Sequence, residues 1–205
     1  MNRPAMTSFR NIAAACAILI AAPLTGCNMS EEEPLEGPLR GSDIGGDFTL
    51  VGSDGNPVSW DDFAGQFRIV YFGYTYCPDV CPVDAQAIGR GLSLLEEQNP
   101  ALEGKVTPLF ITVDPERDTP EVVGQFARAF HPRMVGLTGS RDAIDDAAGK
   151  FAVFHDAGEP DPNGDYLVGH SNQAMLFGPE GEPISLLPTD VGGQAVADEL
   201  KKWVR

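Results

Sequence analysis

An almost unbroken apolar and aromatic run over residues 67–74 leads directly into Cys77, and Cys81 follows four residues later. A run of this kind is what a strand buried on both faces requires. Residues 83–98 then place Ile88, Leu92 and Leu95 on one stripe, the pattern of a helix laid on a sheet. The two cysteines therefore fall at a strand-to-helix turn. There the unpaired N–H groups and positive dipole end of a helix stabilise thiolates. Cys81, one turn beyond Cys77, lies on the same side. Two thiolates so placed suit a soft metal ion or a reversible disulfide. Pro78 and Pro82 stiffen the segment without removing an N–H that a first helical turn needs. Tyr71, Tyr74 and Tyr76 either screen the site from water or belong to the core.

The rest of the chain supplies the sheet for this turn. Residues 48–51 and 57–59 flank Gly52-Ser53-Asp54-Gly55-Asn56, a hairpin signal. Residues 106–113 read as a second buried strand. Thr119 and Pro120 open a helix reaching residue 129, Thr as cap and Pro at the first position. A strand over 134–138, a helix capped by Ser140 and ending near 150, and a strand over 151–155 follow. A polar loop over 157–164 precedes a second hairpin, 174–177 with 183–187, and a closing helix over 195–203. The expectation is an α/β domain: a central mixed sheet with helices on both faces. Helix–strand alternation is common to many folds, so the cysteines must choose among them.

The first residues read as a processing signal. Arg3 and Arg10 precede a short apolar stretch over 12–22, less than the ~20 residues a membrane span needs. Leu24-Thr25-Gly26-Cys27 resembles the lipobox of bacterial lipoproteins. That resemblance implies cleavage after Gly26 and lipidation of Cys27, placing the protein in the bacterial cell envelope, on the periplasmic side, with the inner membrane favoured. Residues 27–46, with three consecutive Glu, two Pro and several Gly, read as a flexible tether, and 47–205 as the folded domain. Of four cysteines, Cys16 leaves with the signal and Cys27 carries lipid, so Cys77 and Cys81 remain. A loop this short gains little chain entropy from closure, which argues against a structural staple. Lys and Arg total 14 against 30 Asp and Glu, a formal net charge of −16. That balance repels nucleic acid and anionic lipid and suits a cation.

Phe72-Gly73-Tyr74-Thr75-Tyr76-Cys77-Pro78-Asp79-Val80-Cys81-Pro82 resembles the signature of the Sco/SenC family. Thr112-Val113-Asp114-Pro115-Glu116-Arg117-Asp118-Thr119-Pro120 and Asp165-Tyr166-Leu167-Val168-Gly169-His170-Ser171 resemble two further segments of it, in the same order. The similarity covers about residues 46–205. It implies a thioredoxin-like fold and one copper ion per chain, held by two thiolates and one imidazole. Carried over, Cys77 and Cys81 are the thiolate ligands and His170 the imidazole ligand. Asp79 and Asp114 match family positions, with roles behind the ligands or toward a partner. The implied task is assembly of the binuclear copper centre of cytochrome c oxidase. Its copper-bearing subunit is the partner, alongside another periplasmic copper chaperone or a thiol reductase. Soft thiolates select Cu(I), and an added imidazole also accommodates Cu(II).

Three readings stay open: a non-enzymatic copper metallochaperone, a thiol–disulfide oxidoreductase keeping the oxidase cysteines reduced, and a peroxiredoxin-like peroxidase. A closed zinc site would want a fourth Cys or His. The stretch His170-Ser171-Asn172-Gln173-Ala174 lacks the Pro that redox-active thioredoxins place beside their cysteines, which weakens generic disulfide exchange. Gly169 stands where many relatives carry an acidic residue. His131 and His155 are expected at the surface or in caps, and Met134 and Met175 in the core.

Overall fold

The computed structural model describes residues 36–205. The expected signal segment, Cys27 and the tether up to residue 35 lie outside the described residues. A hairpin of β1 (Thr49–Gly52) and β2 (Pro57–Ser59) opens the domain. β3 (Phe67–Gly73), α1 (Val80–Gln98), β4 (Val106–Thr112), α2 (Pro120–Phe130), β5 (Val135–Thr138) and α3 (Arg141–Lys150) follow. A ribbon of β6 (His155–Ala157) and β7 (Val168–His170) leads to the hairpin β8 (Ala174–Phe177) and β9 (Pro183–Leu187), and α4 (Gly193–Trp203) ends the chain. Seven strands form one sheet in the order β2-β1-β5-β4-β3-β8-β9. β3, β4 and β5 run parallel, and the remaining pairings are antiparallel.

The side-chain alternation of β3 sorts the helices onto the two faces. Tyr71 meets Asp84 of α1, and its register partner Phe110 of β4 packs on Phe126 of α2, centroids 4.8 Å apart. Phe72 points the other way, onto Phe151 at the end of α3 (5.7 Å). There Phe151 also meets Phe48, Trp60 and Phe177 in edge-on and tilted contacts. The side chains of Ile69, Val70, Tyr71 and Phe72 are all buried, which is why β3 reads as an unbroken apolar run. Removing one of its large rings costs about 3–5 kcal/mol. The caps of α2 and α3 are those expected: Thr119 accepts from the Val122 N–H and Ser140 from the Ala143 N–H.

Three expectations change. Residues 151–155 do not form a strand. Phe151 caps α3, Ala152 takes a left-handed turn (φ 53°), and β6 starts only at His155. The apolar run there is satisfied by ring packing instead of by a ladder. Residues 36–46, assigned to the tether, run along the domain: the Leu39 N–H donates to the Ile184 carbonyl (3.0 Å) and the Gly45 N–H to that of Lys150 (2.8 Å). Ile44 packs on the core, which holds this stretch in place. Helix α1 begins at Val80, three residues before the expected start, so Cys81 is helical and Cys77 is not.

Candidate metal centre

The turn between β3 and α1 positions the sulfurs. Asp118, fully buried, accepts from the Thr75 N–H (3.0 Å), the Thr75 hydroxyl and the Thr112 hydroxyl (2.6 Å). It thereby ties the cysteine loop to the end of β4. The Cys77 N–H closes a turn onto the Tyr74 carbonyl (3.3 Å). Cys81 is the second residue of α1 and Pro82 the third, where a missing N–H leaves no helical bond unmade. Both thiols are free, Cys77 half-buried and Cys81 fully buried.

The third group arrives from β7. His170 Nε2 lies 3.2 Å from Cys81 Sγ, and the ligand atoms of Cys77, Cys81 and His170 all lie within 4.8 Å of one another. Among the described residues this is the one cluster of three or more such side chains able to hold a metal ion. Metal–thiolate bonds of about 2.3 Å place two ligand atoms at most ~4.6 Å apart, so closure on one ion needs little movement. His170 Nδ1 stands 2.9 Å from the Ser171 carbonyl. A carbonyl only accepts, so Nδ1 carries the proton and Nε2 turns its lone pair to the site. Tyr74 and Tyr71 meet the imidazole edge-on, centroids at 5.8 and 6.4 Å. Burial holds the His170 pKa below its ordinary value, against the bond to Ser171, so the imidazole is kept in its ligating neutral form.

The two thiols differ. Burial works against the Cys77 thiolate, but the main-chain N–H groups of Cys81 and Asp79, with the Cys81 and Tyr74 side chains, outweigh it and lower its pKa. Burial pushes the Cys81 thiol well up. Cys77 thus gives up its proton more readily than Cys81, whose proton a bound cation would displace.

Asp79 is exposed at the start of α1, makes no side-chain cap, and serves the site through its N–H. Asp114 is fully buried but bonded to Arg117 and Tyr166, outside the ligand cluster. The carboxylate behind the ligands is that of Asp84, which sequence reasoning missed. It is buried and accepts from the Tyr71 hydroxyl at 2.8 Å. Its signal was an acidic residue on the inward stripe of α1, three positions after Cys81. Tyr71 and Tyr74 are buried at the site, whereas Tyr76 is 56% exposed. His131 is a buried cap whose Nδ1 accepts from the Arg133 N–H. His155 faces His170 across the ribbon but pairs with Asp145 (3.3 Å). Met134 and Met175 are core.

Fold and site together define a thioredoxin-like domain with a Cys-Cys-His group able to hold one metal ion at the start of its first helix. The sequence model of the SCO1/SenC family matches residues 36–205, and this chain belongs to that family. The mouse mitochondrial SCO2 homolog is 41% identical over 169 residues, 82% of this chain. The match spans 64% of that relative, so the chain covers under two thirds of its length. Two copper-bound structures superpose with TM-scores of 0.70 over 78% of this chain. They are Arabidopsis thaliana ScoI, 34% identical over 97% of its own chain, and yeast Sco1, 35% identical over 88%.

Proposed function

We propose that this protein binds one copper ion through Cys77, Cys81 and His170 and delivers it during assembly of the binuclear copper centre of cytochrome c oxidase. The observation that carries this reading is the lone pair of His170 Nε2 facing Cys81 Sγ at 3.2 Å, with Cys77 beside them. Two thiolates hold Cu(I), and the imidazole extends the site to Cu(II). Three ligands leave a coordination position open to an incoming ligand of the acceptor, so the ion can pass by exchange. The relatives seen with copper bound support the choice of metal. The copper-bearing subunit of the oxidase is the proposed acceptor. In this reading Cys27 carries lipid that holds the domain to the periplasmic face of a bacterial inner membrane, as the lipobox-like Leu24-Thr25-Gly26-Cys27 supports.

A thiol–disulfide reductase is the second reading, favoured by the lowered pKa of the half-buried Cys77. His170→Ala separates the two. Copper delivery predicts loss of the thiolate-to-Cu(II) charge-transfer absorption and failed oxidase assembly in cells carrying the variant. Lost Cu(II) binding with normal oxidase activity would establish the reductase. One copper per reduced chain and none in the disulfide form is the expected loading. Equal loading of both forms would overturn the ligand assignment.

A further inference from the structure

His170 belongs to a two-stranded ribbon that makes no ladder with the main sheet, whereas the cysteines sit on the turn that leaves β3. Something must hold the ribbon in place over the sulfurs. Val168 is buried and His155 pairs with Asp145 of α3, and both of these fasten the ribbon to the domain. Tyr74 of the cysteine loop meets the His170 ring directly, and Arg117 adds a second link between loop and ribbon. Its guanidinium carbon lies 3.7 Å from the Tyr166 ring centroid and 4.9 Å from that of Tyr76, the residue before Cys77. Beneath it Asp114, fully buried, pairs with Arg117 Nε and accepts from the Tyr166 hydroxyl at 2.7 Å. A planar cation stacked between two rings fixes distance and angle together, which Lys would not do.

We infer that Arg117 is a positioning residue for the third ligand, a clamp between Tyr76 and Tyr166 that sets His170 against the two sulfurs. This rests on the copper reading above. The clamp sets the site's preference between oxidation states, because Cu(II) depends on the imidazole and Cu(I) is held by the thiolates without it.

The test compares the parent with Arg117→Ala, and with Arg117→Leu combined with Asp114→Asn in case a lone buried carboxylate prevents folding. Cu(I) and Cu(II) affinities are measured on the purified domain, and amide hydrogen exchange on its metal-free reduced form. The expected result is a Cu(II) affinity lowered about 10- to 100-fold, as for loss of a group orienting a metal ligand. Cu(I) affinity should hold within about threefold, since soft thiolates suffice for it. Exchange at β7 should quicken about tenfold while β3 keeps its protection, the mark of local opening. Equal losses for both oxidation states, or equal quickening at β3, would show a merely structural role and overturn the inference. Unchanged Cu(II) binding and unchanged β7 exchange would overturn it too. If the parent binds no copper, the copper reading fails. The preference between oxidation states fails with it, while the exchange comparison still decides whether Arg117 holds the ribbon.

Discussion

Replacing Gly73 with Ala puts a methyl group where three buried groups already meet. Its Cβ would stand 2.8 Å from Tyr71 Cε1, 3.1 Å from Phe110 Cε2 and 3.2 Å from Cys81 Sγ. Carbon contacts settle at about 3.5–4.0 Å, so each neighbour must retreat by several tenths of an ångström. Tyr71 is tethered to Asp84, and Phe110 is packed on Phe126. The third neighbour is the sulfur in the first turn of α1, and any shift of it alters its 3.2 Å contact with His170. Overpacking of this kind costs about 1–3 kcal/mol. At about 2–4 °C per kcal/mol for a domain of this size, the unfolding midpoint should fall by roughly 2–12 °C. Copper affinity should fall with it. Gly149→Ala is the control: this glycine lies in α3 with nothing within 4 Å of an added Cβ, so the change should stabilise by about 0.5–1 kcal/mol. Thermal unfolding of the reduced, metal-free proteins and copper titration supply both readouts. A Gly73→Ala protein with parental midpoint and parental copper affinity would refute the claim that this glycine makes room for the sulfur.

Iodoacetamide should modify Cys77 well before Cys81, with a pH–rate midpoint below the ordinary thiol value of 9.0; equal labelling by peptide mass analysis would contradict the asymmetry of the pair. Burial holds the pKa values of His170 and His131 below 6.5, so above that pH neither group distinguishes folded from unfolded chain. As pH falls below 6.5 the unfolded chain takes up protons first, and the stability of the metal-free protein should decline through the folded-state values. Denaturation midpoints between about pH 7.5 and 5.5 check this, and a slope unchanged in a His170→Gln, His131→Gln double variant would count against it. Cys27→Ala should move the protein from membrane to soluble fraction with copper binding intact; retention on the membrane would rule out the lipid anchor.

Short-range patterns told most of the fold. The apolar run of β3, the Thr119-Pro120 and Ser140 helix starts and the Gly55 and Gly181 turns all stand where local chemistry put them. The Cys77–Cys81 spacing, at a strand end before an amphipathic helix, marked a site for soft metal or redox chemistry, and the resemblance around residues 165–171 added His170. Local pattern failed where burial came from afar. Residues 151–155 read as a strand because an apolar run cannot say whether a ladder or a ring cluster will cover it, and here Trp60 and Phe177 do so. The convergence of the three candidate ligands is a tertiary fact. Cys81 and His170 stand 89 positions apart in the chain, and only the return of β7 over the β3–α1 turn brings sulfur and imidazole to 3.2 Å. The same holds for Asp84 behind Tyr71 and for the stacking of Arg117 between Tyr76 and Tyr166. The amino-acid sequence by itself determined which elements form and which atoms are available as ligands, because those follow from periodicity and side-chain chemistry. The tertiary structure alone decided which of them converge and which sulfur holds its proton the more tightly, because proximity and desolvation are properties of the packed chain.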